Sequence, residues 1–204
     1  MGLILILPLT HNEIGMIYQL KITLEGIEAP IWRRILIDPT MNMEELHYVT
    51  QSVMGWMAEH IYEFTSGDRK IVDPSQDSEE GVELADEVLI SQALLKAGDK
   101  FSYRYDFEDN WLHVIELEKV LEIDADIQYP VCVDGARACP PEECGGVEGY
   151  LNVLHVLSDP KSEDYEELSE WLGGDYDAEE FEMAFINEEL HDPENWVEEE
   201  GDEA

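Results

Sequence analysis

The chain is predicted to be an α+β protein, because segments with strand periodicity fill its first 120 residues and helical segments fill the remainder. Three observations carry this. Apolar residues alternate strictly in several short runs, one run behind a helix-capping signal at Asn42 repeats at helical spacing, and glycines and prolines punctuate the later helices. The expected architecture is an antiparallel or mixed sheet with helices packed on it and a helical C-terminal part. The opening order of hairpin, helix and strand also permits a β-grasp-like sheet.

Leu20, Ile22 and Leu24 alternate with Gln19, Lys21 and Thr23, as a half-buried strand requires. Gly26 and Pro30 mark a connection. A second strand follows in IWRRILID, with Ile31, Ile35 and Ile37 on one face and Trp32, Arg34 and Leu36 on the other, so the two pair as a hairpin. Asn42 with Glu45 forms a capping box for a helix carrying Leu46, Val49, Val53 and Trp56. HIYEFTS reads as a strand, Asp68 to Gly81 as an acidic loop, and Ser91 to Ala97 as a short helix stopped by Gly98. The clearest hairpin joins Phe101, Tyr103, Tyr105 and Phe107 through a turn at Glu108 to Asn110 to Trp111, His113, Ile115 and Leu117, with its aromatic face buried. Helices are expected over Val147 to Leu157, over Glu163 to Leu172 before Gly173 and Gly174, and from an Asp177/Glu180 cap through Phe181 and Phe185 to Leu190. Residues 1–16 read as an appended segment, 17–192 as one domain, and 193–204 as a disordered acidic tail.

Eleven Lys and Arg against 49 Asp and Glu leave a net charge of −38, which repels phosphate backbones and excludes direct nucleic-acid binding. At 44% apolar residues the chain still has an interior to build. The apolar run in MGLILILPLT has no preceding cation and no cleavage site, and nothing later resembles a membrane span, so a cytoplasmic location without membrane contact is expected. Three cysteines argue against a disulfide framework.

Chemistry concentrates in two stretches. In CPPEECGG, residues 139–146, Cys139 and Cys144 join Cys132 as candidate zinc ligands, with His113 as a fourth. The spacing and the two prolines favour a stiff, glycine-hinged turn instead, and Glu142 and Glu143 raise the pKa of Cys144 against a redox role. In YDFEDNWLH, Asp106, Glu108 and Asp109 crowd a hairpin tip near His113, a set able to bind a divalent metal or do acid–base work. A hydrogen-bonded core histidine is the plainer reading. Asp106, Asp109, Trp111, Glu142 and Glu143 form the candidate ligand or partner surface. Arg33 shares the buried strand face, where a structural ion pair is expected. His47 and His60 frame the helix and the following strand and have the reach to meet in space.

With PIWRRI, ELHYVTQSVMGW, HIYEF, YDFEDNWLH and CPPEECGGVEGY in this order, the chain from about Tyr18 to Leu190 resembles the plasmid pRiA4b ORF-3-like family. The family pattern has glycine where this chain has Glu108, and commonly aspartate where it has Glu143. The resemblance implies an α+β fold and brings no established reaction, cofactor or substrate. Met16 would be a natural start for such a domain.

Three readings of function stand open. The first is a non-catalytic cytoplasmic binding or interaction module, accessory to plasmid or mobile-element functions as the family name hints, with no cofactor and a protein partner that is basic. The second is a metal-assisted enzyme or zinc-stabilised protein using the cysteine loop with His113. The third is an acidic decoy for a basic nucleic-acid-binding protein. Whichever holds, the self-repulsion of −38 charges is screened by salt. The thermal midpoint is therefore expected to rise between ~20 mM and ~500 mM NaCl. Calorimetry showing a flat or falling midpoint would refute the repulsion argument.

Overall fold

A computed structural model describes residues 15–76, 81–174 and 176–192. Strands β1 (Met16–Leu24), β2 (Trp32–Ile37), β3 (Tyr62–Ser66), β4 (Arg69–Val72), β5 (Glu83–Leu84), β6 (Lys100–Tyr105), β7 (Trp111–Glu122) and β8 (Val131–Ala136) form one sheet in the order β5-β4-β3-β6-β7-β1-β2-β8. All pairs are antiparallel except β4 with β5, so the sheet is mixed. Helices α1 (Met43–Met54), α2 (Ile90–Ala93), α3 (Gly146–Leu157), α4 (Tyr165–Trp171) and α5 (Met183–Leu190) complete the α+β fold, with a 3₁₀ turn at Ala85–Glu87. Among the described residues no helix is long and apolar enough to cross a membrane.

The opening hairpin pairs Tyr18 with Ile37 through Thr23 with Trp32, and the central one pairs Tyr105 with Trp111 and Tyr103 with His113. Both registers put the alternating apolar sets on one face, where Leu20, Ile22, Ile35, Phe101, Tyr103 and Ile115 are buried in a single core with Leu46, Val49 and Val53 of α1. The opposite face is polar and laced with ion pairs, among them Arg34 with Glu118 and Asp134, and Lys100 with Glu116. An antiparallel sheet tolerates this, since one side can face water. The capping box forms as expected: Glu45 N donates to Asn42 Oδ1, Asn42 N donates to Glu45 Oε2, and Gly55 ends α1 in the left-handed region.

Several elements depart from expectation. Strand β4 lies inside the expected acidic loop, where Ile71 and Val72 bury against β3; residues 77–80 of that loop are outside the described residues. Strand β8 was hidden by its alternation-breaking VCVDGA and forms by pairing with β2. Phe107 is 40% exposed because the strand ends at Tyr105. Helix α5 starts at Met183 without a side-chain cap, and Asp177 instead accepts the amide of Glu179 in the preceding turn. The sheet begins at Met16, one residue ahead of the expected domain start; residues 1–14 of the expected appended segment and the whole of the expected tail, 193–204, are outside the described residues.

Edge strand β8 is closed by α5. Asn187 Oδ1 accepts the amide of Cys132 at 2.7 Å and its Nδ2 donates to the Cys132 carbonyl at 2.9 Å, which satisfies backbone groups that would otherwise invite another strand.

The core also holds two histidines. His47 on α1 stacks on Tyr62 with ring centres 3.8 Å apart, and its Nδ1 lies 2.7 Å from the Tyr103 hydroxyl, which also accepts from Gln51 Nε2. His113 on β7 stands edge-on to Trp56 and tilted against Tyr103, with neither ring nitrogen hydrogen-bonded. The hydrogen bond expected of it is thus absent, although the carbonyls of Trp111 and Tyr103 pull weakly toward the charged form. Burial lowers both histidines to about 3. A folded-state value below the unfolded one of about 6.5 means the fold favours the neutral ring, so stability is whole above that pH and is lost as pH falls toward 3. The slope is at most about 1.4 kcal/mol per pH unit for each histidine. Urea titrations at several pH values are expected to show this loss between pH 6.5 and 4.5, where most carboxylates stay ionised. His113→Phe should reduce the slope by one histidine's share and leave stability at pH 7 equal or higher by about 1 kcal/mol, since it removes two unpaired polar atoms. An unchanged slope in that variant would rule out a neutral buried His113.

Candidate functional site

The two chemistry-bearing stretches lie side by side. Asp109, in the β6–β7 turn, accepts the amides of Gly145 and Gly146 at 3.1 and 2.8 Å through Oδ2. Trp111 Nε1 donates to the Glu142 carbonyl, and Trp56 Nε1, just past α1, donates to the Pro140 carbonyl. Glu142 reaches two elements with one carboxylate: the Tyr105 hydroxyl donates to Oε1, and the Met57 amide donates to Oε2 at 2.7 Å. Trp111 is fully buried, so its part in the expected surface is to support Glu142 from beneath.

Local conformation makes this contact possible. Asp106 and Asn110 take positive φ, and Asn110 N closes the turn on the Asp106 carbonyl at 2.8 Å. Gly146 has φ +67°, and a Cβ there would overlap the Asp109 carbonyl. Only glycine permits that approach. The stiff Pro140-Pro141 pair then leads into α3, whose N-terminal amides receive the Asp109 charge.

The thiols and His113 do not assemble as one ligand set. Cys132 Sγ contacts the Asp134 carbonyl, Cys144 Sγ contacts the Gly146 carbonyl at 3.8 Å, and Cys139 Sγ sits between Arg33 Nη2 at 3.0 Å and Met54 Sδ at 3.1 Å. All three are free cysteines. Burial raises Cys132, pushes Cys139 up to about 11 against the opposing pull of Arg33, and pushes Cys144 up to about 12, helped by Asp109 and then Glu143. At neutral pH they are protonated thiols, which are poor nucleophiles. His113 is sealed under Trp56 and Tyr103.

Arg33 overturns the expected ion pair. No carboxylate among the described residues lies within salt-bridge distance of it; its Nε donates to the Val53 carbonyl, Nη1 to those of Trp32 and Ala136, and the Phe181 ring covers it at 4.9 Å. Arg34, on the polar face, takes the carboxylates instead. Arg33 thus ties the end of α1 to β8 through hydrogen bonds that replace its hydration.

Among the described residues one group of three metal-capable side chains lies within 4.8 Å, and it is His60, Glu142 and Glu143. His60 Nε2 is 3.1 Å from Glu143 Oε1 and 3.9 Å from Asp106 Oδ2, and these carboxylates, Glu143 first, raise its pKa. His47 and His60 do not pair; each lies against the Tyr105 ring, at 5.9 and 5.7 Å. From the sequence, Glu142 and Glu143 share a candidate surface with Asp106, and His60 stands apart from it. Their meeting depends on the turn between α1 and β3, which no local pattern reveals.

A cleft of about 1020 Å³ opens beside this group, between the end of α1, the turn that follows it, and α5. Arg33, Met54, Trp56 and Cys139 line it together with Phe181 and Ile186. Met57 and Phe185 also line it and are 74% and 57% exposed, while Glu59, Glu180 and Glu182 add negative charge.

The family model for plasmid pRiA4b ORF-3-like proteins matches residues 16–184. The chain is 33% identical over 181 residues to an uncharacterised protein, y4hQ, of Sinorhizobium fredii, covering 88% of this chain and 93% of that protein. It is also similar to the crystal structure of a protein of unknown function, MM3350 from Methanosarcina mazei Go1, with a TM-score of 0.77 and 34% identity over 84% of this chain and 96% of that one.

The Asp109 contact has a measurable weight. Asp109→Ala is expected to cost about 1–2 kcal/mol in urea denaturation, as loss of a helix-terminus acceptor does, with Asp109→Asn milder because it keeps one acceptor oxygen. Gly146→Ala should cost about 2 kcal/mol or more, combining a left-handed φ with a backbone clash. Wild-type stability in both Asp109→Ala and Gly146→Ala would show that this contact carries nothing.

Proposed function

The chain belongs to the plasmid pRiA4b ORF-3-like family, and on that footing we propose that it is a non-catalytic binding module whose cleft under α5 receives an apolar anchor from a basic protein segment. The observation that carries this is the make-up of the cleft: apolar side chains, including the exposed Met57 and Phe185, interspersed with polar groups and edged by Glu59, Glu180 and Glu182. An apolar pocket with a negative rim is complementary to a hydrophobic side chain flanked by Lys or Arg, and the net charge of −38 accelerates that encounter. The single cation in the floor, Arg33, is turned onto carbonyls and a thiol, so it does not oppose a basic partner strongly. Supporting the non-catalytic reading, the nucleophilic side chains serve packing, as protonated thiols and a buried neutral imidazole. The module would work in the cytoplasm, in the plasmid or mobile-element setting that the family's name suggests.

The test uses two synthetic peptides of equal positive charge, one with a central Phe and one with Ala there, followed by Trp fluorescence, since Trp56 lines the cleft. The Phe peptide is expected to bind about ten-fold tighter, a difference that Phe185→Ala and Met57→Ala should shrink. Equal affinities, with both lost at ~0.5 M NaCl, would replace the anchored module by a purely electrostatic decoy.

A further inference from the structure

We infer that His60, Glu142 and Glu143 form a binding site for one divalent first-row transition-metal ion, with Asp106 behind them. The four side chains come from three separate segments: the turn before β3, the β6–β7 turn and the 139–146 loop. One imidazole nitrogen with carboxylate oxygens is a donor set that suits Mn²⁺, Co²⁺ or Zn²⁺, and the imidazole disfavours Mg²⁺ and Ca²⁺. Donors around one such ion at about 2.0–2.2 Å stand roughly 3–4 Å apart, so small side-chain rotations close the set from its present 4.8 Å span.

Two independent observations point to a cation here. Asp106 is a carboxylate whose side chain is only 10% exposed; its Oδ1 is held by the Glu108 amide, and its Oδ2, with no hydrogen bond, faces His60 Nε2 at 3.9 Å. Three carboxylates thus surround one imidazole, and among the described residues no Lys or Arg lies within salt-bridge distance of any of them. The ring, at most +1, leaves an excess of negative charge beside a partly buried group, which is the condition a divalent ion relieves. The second observation is the support of Glu142. Tyr105 and the Met57 amide hold its carboxylate in place, as outer hydrogen bonds hold a ligating carboxylate. Glu143, with its side chain 69% exposed, and His60 leave the ion open to solvent on one side. None of these four side chains lines the cleft, so the site stands or falls apart from the peptide-binding reading.

The experiment titrates Co²⁺ into chelator-treated full-length protein and reads its visible ligand-field absorption. One equivalent is expected to bind with a dissociation constant below about 100 μM. His60→Ala and Glu143→Gln, both at solvent-accessible positions, should each weaken it at least about ten-fold with an unchanged thermal midpoint. Retained affinity in both variants, or displacement of Co²⁺ by an equal concentration of Mg²⁺, would show diffuse binding to the acidic surface and overturn the site.

Discussion

Asp109 accepts the amides of Gly145 and Gly146, and its own backbone lies where any side chain on Gly146 would have to go. That close approach joins the tip of the central hairpin to the start of α3. Once it is made, Glu142 falls between Tyr105 and the Met57 amide, Trp56 reaches Pro140, and Trp111 reaches the Glu142 carbonyl. The acidic group around His60 and the wall of the cleft formed by residues 138 and 139 both follow from the same placement. A strongly acidic chain gains from such a contact, because the charge of Asp109 is spent on helix amides and adds less to the general repulsion.

The core is built of more than apolar area. His47, Gln51 and Tyr103 share hydrogen bonds under the sheet, Arg33 is held by three carbonyls and a thiol, and neither ring nitrogen of His113 is hydrogen-bonded among the described residues. Arg33 follows the rule that buried polar groups are satisfied, whereas Gln51 is satisfied through Nε2 alone, its Oε1 having no partner among the described residues. His113 departs furthest from that rule, with both ring nitrogens unpaired among the described residues, and its packing against Trp56 and Tyr103 ties the aromatic layer to the residue that also anchors Pro140. The buried layer and the surface group are therefore neighbours through Trp56 and Tyr105 rather than independent features.

Chemistry on this protein divides by segment. The thiols that first suggest a metal knuckle are dispersed among carbonyls, Met54 and Arg33. The two glutamates between them do converge, with a histidine from a distant turn. The cleft is lined by Met57 but by none of that group, and it mixes apolar side chains with an acidic edge. Family membership unites the segments without supplying an activity, since the relatives found are an uncharacterised protein and a protein of unknown function.

Alternation in β1, β2, β6 and β7 and the Asn42/Glu45 box were readable from sequence because they depend on residues two to four apart, whose geometry is set by the backbone alone. The glycines at 145 and 146 likewise announced a special turn. Strand β8, with Gly135 and Asp134 interrupting its pattern, was not readable, because its strand character comes from pairing with β2 and from Asn187. Arg33 differs from expectation for a related reason: 49 acidic residues favour an ion pair on composition, yet the fold surrounds that position with carbonyls. By itself, then, the sequence determined the periodic elements, the acidic surface and the family. Tertiary structure alone decided which of the carboxylates, thiols and histidines meet, because their spacing crosses turns and strand pairings whose ends no local pattern brings together.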